Sequence, residues 1–173
     1  AIKNVGEPVV EAIIAERKAN GSYENLDDFL RRVQTKDLNK KSLESLVKAG
    51  ALDAFGDRGV LLENLPELVA YAKGVEKEND SKQTTLFGIL PIAQSPTLKL
   101  KPAGTVSSRQ RLSWEKELIG LYLSAHPLHE YETQLRQVAG PIRDAVNRRT
   151  GGARIVGIIS SIQRVVTRNQ ENM

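Results

Sequence analysis

In four short segments of the first 73 residues, apolar residues recur at helical spacing. These four apolar repeats limit the fold more than any other feature of this sequence. Each repeat is bounded by residues that start or stop helices, because Asn and Asp favour N-caps while Gly favours the left-handed turn after a helix. The candidate caps and stops are Asn20-Gly21, Asn25, Asn39, Gly50 and Asp57. Pro66 lies inside the fourth repeat, so we expect a kink or a break there. Residues 1–73 are therefore predicted to form a set of short helices.

The sequence changes character at Gly74, and three further segments follow. Residues 74–104 are polar and contain three prolines, a pattern that predicts an extended linker. Helical spacing returns in residues 105–150, which predicts a connector of short helices. β-Branched residues dominate residues 151–173 and predict one strand, which cannot bury itself without further strands. We therefore expect a mainly α chain that is cut from a longer protein at both ends.

The composition excludes several classes of protein. The chain has 40% apolar and 27% charged residues, as expected for a folded protein rather than a disordered one. It has no cysteine and only two histidines, which excludes a disulfide framework and a thiolate metal site. No apolar run reaches the roughly 18 residues that a membrane span needs, and the N-terminus has no signal-peptide layout. The cytoplasm is the compartment that we expect.

The first candidate site is the turn Lys3-Asn4-Val5-Gly6, which directly precedes a predicted helix. A tight hairpin at a helix N-terminus leaves several backbone N–H groups unpaired, and these donors together with the helix dipole suit a phosphate oxygen. Asn4 tolerates the left-handed conformation that such a hairpin needs, and Gly6 permits close approach of the backbone to a ligand. From local sequence alone, an ordinary turn into a helix explains these residues equally well.

The second candidate site lies around the third predicted helix. Lys40 and Lys41 stand at its start, while Lys48 and Gly50 stand at its end. These residues suit a second turn beside a helix, with the lysines placed to contact phosphates. A solvated basic helix face is the alternative for each lysine taken singly.

The third candidate site is the pentapeptide Gln83-Thr84-Thr85-Leu86-Phe87 within the predicted linker. Leu86 and Phe87 have no helix face to join, and large apolar side chains in a polar segment usually become buried in a partner. The alternative is that both side chains attach the linker to the chain's own helices.

The segment Trp114-Glu115-Lys116-Glu117 leads into an apolar run and then into Ser124-Ala125-His126-Pro127. It predicts an apolar helix followed by a turn that Pro127 fixes. His126 has no accompanying nucleophile or positioned carboxylate, so we expect it to be structural. Asp27 and Asp28 are adjacent and diverge on a helix, so they cannot jointly hold two metal ions. No set of catalytic carboxylates is evident in the sequence.

These motifs, in this order, resemble the C-terminal part of the bacterial DNA polymerase III alpha-subunit family. The turn at residues 3–6 is similar to the helix-hairpin-helix motif, although Asn4 replaces its first glycine and its first helix would precede residue 1. The pentapeptide is similar to the sliding-clamp-binding motif of that family. The segment from Trp114 to Leu128 resembles a signature of the alpha subunits, with Ala125 in place of an expected glycine. Residues 151–173 resemble the first strand and turn of an OB fold.

The resemblance implies both an architecture and a function. It implies tandem helix-hairpin-helix motifs that grip duplex DNA, and docking of Gln83, Leu86 and Phe87 on the sliding clamp. It further implies an OB fold as a single-stranded DNA partner site, other replisome subunits as partners, and a parent DNA-directed DNA polymerase that uses Mg²⁺. This fragment lacks catalytic carboxylates and needs no cofactor of its own on this interpretation. The alternative is a free-standing helix-hairpin-helix protein of repair or recombination.

Overall fold

A computed structural model describes residues 1–82, 98–147, 151–159 and 162, and for residues 77–82 it describes the backbone only. The chain divides into two compact units, Ala1–Ala125 and His126–Met173. The first unit contains α1 (Glu7–Asn20), α2 (Leu26–Arg32), α3 (Lys40–Lys48), α4 (Arg58–Glu63), α5 (Leu65–Lys82) and α6 (Ser108–Leu118). A 3-10 turn at Asp53–Phe55 precedes α4. The second unit contains a 3-10 turn at His129–Tyr131, α7 (Glu132–Val138) and α8 (Ile142–Asn147).

Side-chain caps begin four helices of the first unit. Asn25 accepts a hydrogen bond from the N–H of Asp28, Asn39 from those of Lys41 and Ser42, and Asp57 from that of Gly59. The caps that the sequence predicted at these three positions are confirmed. Ser107 caps α6 in the same way, although it was not among the predicted caps. Each cap satisfies a helix N–H that would otherwise lack a partner, typically contributing about 1 kcal/mol.

The core of the first unit is built from one apolar face of each of its first five helices. Its most deeply buried members are Val9, Leu30, Leu43, Val47, Leu61 and Leu68. Burying each such side chain contributes about 1.5–3 kcal/mol. At the edge of this core the Tyr71 hydroxyl donates a hydrogen bond to Asp27, and burial together with that carboxylate raises the pKa of Tyr71 to about 12.

The fourth and fifth helices differ from the prediction in their boundaries. The break falls at Asn64, and Pro66 lies in the first turn of α5, where its missing N–H costs nothing. α5 then continues beyond Gly74 to Lys82, so it occupies the start of the segment predicted as a linker over residues 74–104. Val75 is 3% exposed and packs in the core, which holds this part of the helix against the first unit.

Residues 98–107, here called the return segment, pack back onto the first unit. Leu98 packs against the core, and the buried Asn64 side chain pairs with the backbone of Lys101 in both directions, at 2.7 and 2.9 Å. A Cβ at Gly59 would lie 2.1 Å from the carbonyl oxygen of Gly104, so only glycine permits this contact. The structure therefore groups the return segment and α6 with the helices of residues 1–82, across the predicted boundaries at 73 and 104.

Two predictions for the C-terminal half also need adjustment. α6 ends at Leu118 rather than near Leu123, because the chain turns back at Gly120, where φ is 88°. In residues 151–159 and at 162 no strand is present, so the predicted first strand of an OB fold is not confirmed. Ile155 and Ile159 are 64% and 75% exposed, and no neighbouring strand within the described residues pairs with them.

Candidate nucleic-acid interface

The turn at residues 3–6, here called the first hairpin, lies at the surface before α1. Asn4 adopts the left-handed conformation with φ 66°, as its position in the motif predicted, and the N–H of Val5 closes the turn on the carbonyl of Ile2 at 3.2 Å. Gly6 is the N-cap of α1 and has an extended backbone, with φ −72° and ψ 157°. Lys3, Asn4 and Gly6 are exposed.

The end of the first hairpin presents backbone donors to solvent. Within the part of the chain that the structure describes, the N–H groups of Gly6 and Glu7 have no protein acceptor, and no side chain caps α1. A helix N-terminus carries a partial positive charge that favours a phosphate, although the Glu7 carboxylate in the first turn opposes it. A Cβ at Gly6 would meet only Pro8 Cδ, at 3.5 Å, so the fold itself leaves room for a side chain there.

Two other helices hold the first hairpin in place. The Asn4 side-chain amide donates to the Ser45 hydroxyl of α3 at 3.3 Å, and the N–H of Lys3 donates to the carbonyl of Leu118 at the end of α6 at 2.9 Å. Ile2 and Val5 pack against the core from the same turn. The hairpin is therefore positioned between α3 and α6.

Two of the three candidate lysines lie on the side of α3 that the hairpin contacts. Lys41 and Lys48 are four residues before and three residues after Ser45, a spacing that places all three on one helix face. Lys41 is exposed, whereas Lys48 Nζ pairs with Glu44 at 2.6 Å and lies 5.5 Å from the centre of the Trp114 ring. Lys40 is also exposed but occupies a neighbouring position around the helix.

Gly50 has a structural function that was not predicted from the sequence. Its φ is 83°, and a Cβ there would lie 2.2 Å from Arg58 Nη2 and 2.9 Å from Arg58 Cζ. The Arg58 guanidinium therefore lies directly over the turn at residues 49–52, here called the second hairpin. This turn is at the opposite end of α3 from Lys40 and Lys41, about 12 Å along the helix axis.

Arg58 is the centre of a buried ion-pair network, and neither it nor its partner Glu115 was predicted as part of a site. The guanidinium binds both carboxylate oxygens of Asp53 at 2.8 and 2.7 Å, the carbonyl of Lys48 at 3.0 Å, and Glu115 Oε1 at 3.1 Å. Glu115 is 0% exposed and also accepts from the N–H groups of Leu123 and Ser124 and from the Ser124 hydroxyl.

The Glu115 contacts bring the two halves of the signature segment together in space. Burial alone would raise the pKa of Glu115, but the hydrogen bonds from Ser124, Leu123 and Arg58 outweigh it and lower that pKa to about 2. The carboxylate therefore stays charged, and its hydrogen bonds hold residues 123–124 beside α6. The sequence places Glu115 and Ser124 nine residues apart in this segment, but it does not show that their side chains meet.

His126 contributes to a turn. Its Nδ1 accepts a hydrogen bond from the N–H of Leu128 at 3.2 Å, across Pro127. The clamp-binding candidates Gln83, Leu86 and Phe87 lie outside the described residues.

Neither a metal site nor a membrane span is evident among the described residues. No group of three or more His, Cys, Asp or Glu side chains there is arranged to hold a metal ion. No helix in the same residues has the length and the hydropathy to cross a membrane. The Mg²⁺ that the resemblance implies for a parent polymerase remains an expectation about that polymerase.

Comparison with known proteins assigns the hairpin region to a class. Residues 1–61 match a family model described as "Helix-hairpin-helix motif". This range contains the first hairpin, α3 and the second hairpin, so residues 1–61 are similar to the helix-hairpin-helix class of motif.

Relatives extend the similarity well beyond the hairpins. The chain is 37% identical over 98% of its length to the DNA polymerase III subunit alpha of Thermus aquaticus, and 37% identical over 99% of its length to that of Borreliella burgdorferi. It is 40% identical over 80% of its length to that of Deinococcus radiodurans. The chain is thus homologous to a segment of the DNA polymerase III alpha-subunit family, as the resemblance predicted. It spans 14%, 16% and 10% of the lengths of these three relatives.

Proposed function

We propose that this chain is a non-catalytic, duplex-DNA-binding segment of the alpha subunit of a replicative DNA-directed DNA polymerase, a nucleotidyltransferase. The observation that carries the proposal is the exposed first hairpin, where Asn4 is left-handed and the N–H groups of Gly6 and Glu7, at the start of α1, have no acceptor among the described residues. The homology beyond residue 61 favours a polymerase over a free-standing protein of repair or recombination, which would explain only the hairpins.

The first hairpin and α3 would bind phosphates without reading bases. Backbone N–H groups at the hairpin would take one phosphate, and the ammonium groups of Lys3 and Lys41 would take neighbours. Lys40 and Lys48 extend the basic surface along α3, and Gly50 shapes the far end of that helix. Such contacts fit a polymerase, because gripping the duplex behind an active site must not depend on sequence. Each phosphate neutralised contributes about −0.9 to the slope of log K against log salt concentration.

Substitution at Gly6 tests DNA binding with little risk to the fold. The change Gly6→Val puts a side chain where a phosphate would approach, while the backbone angles and the surrounding space accept it. The matched control is Gly140→Val, since Gly140 is exposed and a Cβ added there would have nothing within 4 Å.

We expect Gly6→Val to weaken binding of a duplex of about 20 base pairs by about tenfold, with the melting temperature unchanged. Fluorescence anisotropy at several salt concentrations provides the measurement. Equal affinity of Gly6→Val, Gly140→Val and the unsubstituted chain would show that the first hairpin is an ordinary turn.

We also propose that Gln83, Leu86 and Phe87 tether the polymerase to the sliding clamp and so keep synthesis processive. The support is the sequence of the pentapeptide and its place in a segment homologous to the alpha subunits. Burying Leu86 and Phe87 in a clamp pocket would contribute about 1.5–3 kcal/mol each before ordering costs. Attachment to DNA would strengthen this weak contact through effective concentration.

The clamp proposal is tested by binding of the chain to a purified bacterial sliding clamp. We expect Leu86→Ala with Phe87→Ala to abolish binding that surface plasmon resonance detects for the unsubstituted chain. The matched control is Leu121→Ala with Leu123→Ala, because these leucines are large apolar residues that are exposed, at 49% and 63%. Equal clamp binding by all three proteins would refute the tether.

A further inference from the structure

We propose that Glu115 is a positioning residue for duplex-DNA binding. Through Arg58, Glu115 holds the second hairpin against α6, and α6 in turn holds the first hairpin through the carbonyl of Leu118. This inference rests on the proposed DNA-binding function and deepens it, because Glu115 lies far outside the matched helix-hairpin-helix region.

Both oxygens of the Glu115 carboxylate accept hydrogen bonds in this arrangement. Oε1 accepts from Arg58 at 3.1 Å and from the Ser124 hydroxyl at 2.7 Å, while Oε2 accepts from the N–H groups of Leu123 and Ser124 at 2.8 and 3.0 Å. A buried charge is tolerated only when its hydrogen bonds are satisfied in this way. Loss of the carboxylate therefore removes one of the partners that hold Arg58, which is itself 3% exposed.

Arg58 transmits the position of Glu115 to the second hairpin. It binds the carbonyl of Lys48, the last residue of α3, and its Nη2 fills the place that a Cβ on Gly50 would occupy. Among the described residues, the one other side chain that it binds is Asp53, which belongs to the 3-10 turn that follows that hairpin. A shift of Arg58 would consequently move the end of α3 and the turn together.

The same helix holds the first hairpin. The carbonyl of Leu118, three residues after Glu115, accepts the N–H of Lys3 at 2.9 Å. Lys48 also lies over the ring of Trp114, the residue before Glu115. α6 is thus a common support for the first hairpin and for the end of α3, and the first hairpin and the lysines of α3 can engage one duplex together only if their spacing is kept. Simultaneous engagement of two weak binding sites raises affinity through effective concentration, and this gain disappears when the geometry changes.

The test compares Glu115→Gln with Glu67→Gln in the whole 173-residue chain. Each substitution raises the net charge by one, which by itself favours DNA binding. Each also breaks an ion pair: Glu67 pairs with Lys101 of the return segment at 2.7 Å, but at the surface and away from both hairpins. Affinity for duplex DNA and its salt slope are measured at a temperature where melting curves show both variants folded.

We expect Glu115→Gln to bind duplex DNA about tenfold more weakly than Glu67→Gln, with a salt slope shallower by about 0.9 for each phosphate that is no longer neutralised. A residue that only stabilises the fold would lower the melting temperature and leave affinity and slope equal to those of Glu67→Gln. That second result would overturn the inference.

Ser124→Ala provides the same test if Glu115→Gln does not fold. It removes one of the four donors to Glu115 and keeps all charges, and we expect about a threefold loss of affinity for a folded protein. Unchanged affinity would again overturn the positioning role. Absence of duplex binding by the unsubstituted chain and by Glu67→Gln alike is a different outcome, because it would refute the proposed function itself.

Discussion

Each of the two hairpins of the first unit contains one glycine, but the two glycines have opposite surroundings. The first hairpin leaves the space beside Gly6 open, and the nearest atom to a Cβ there is Pro8 Cδ at 3.5 Å. The second hairpin is covered by the chain's own Arg58, only 2.2 Å from a Cβ on Gly50. A glycine in a turn can therefore mark a surface kept free for a ligand or a place already filled by the protein, and only the surroundings distinguish the two.

The largest expected effect of this difference is on stability. Gly50→Ala combines a left-handed backbone at φ 83° with a clash against a buried guanidinium, so we expect a loss of about 4 kcal/mol in the free energy of unfolding. Gly6→Ala meets neither problem and should change that free energy by less than about 0.5 kcal/mol. Urea denaturation followed by circular dichroism measures both. Similar losses for the two variants would remove the distinction between the hairpins.

A second expected effect is acid sensitivity of the network behind the second hairpin. The pKa of Glu115 is lowered from 4.5 to about 2, so its contribution is fully present above pH 4.5 and is lost as the pH falls through 2. For the whole shift this contribution is about 3 kcal/mol. The unsubstituted chain should therefore lose stability more steeply between about pH 5 and pH 2 than Glu115→Gln does. Parallel curves for the two proteins would show that folding does not lower the pKa of Glu115.

The smallest expected effect concerns Lys48, whose ammonium is shared with Glu44 at 2.6 Å. Glu44→Gln should release Lys48 for a phosphate and increase duplex affinity about twofold, with a salt slope steeper by at most about 0.9. The pair lies at the surface, so stability should fall by only about 0.3–0.5 kcal/mol. As a control, Glu11→Gln changes the charge equally on the exposed side of α1. An equal gain from both variants would indicate a general charge effect rather than a phosphate contact at Lys48.

Local features of the fold were predictable from the sequence because neighbouring residues determine them. Asn25, Asn39 and Asp57 cap helices by accepting hydrogen bonds from N–H groups two or three residues away. Asn4 adopts a left-handed backbone, which asparagine tolerates better than most residues. Each of these depends on a few adjacent positions.

Contacts between distant residues were not predictable in the same way. Arg58 and Glu115 are 57 residues apart, and Asn64 and Lys101 are 37 apart. The polar, proline-containing composition of residues 74–104 favours a linker. The buried side-chain amide of Asn64 nevertheless fixes the return segment against the helices of the first unit. For the candidate interface, the sequence proposed the first hairpin and the lysines of α3 but not α6. The support that α6 provides comes from the backbone carbonyl of Leu118, which no residue type reveals.

The pairing of Asn64 with Lys101 has a mechanical consequence. Lys82 and Leu98, the residues that border the stretch containing the proposed clamp motif, both belong to the first unit. A partner that bound this stretch would be attached to the first unit at two points, one on each side of the stretch. A force applied to that partner would be shared between two attachments, α5 on one side and the Asn64 side chain on the other.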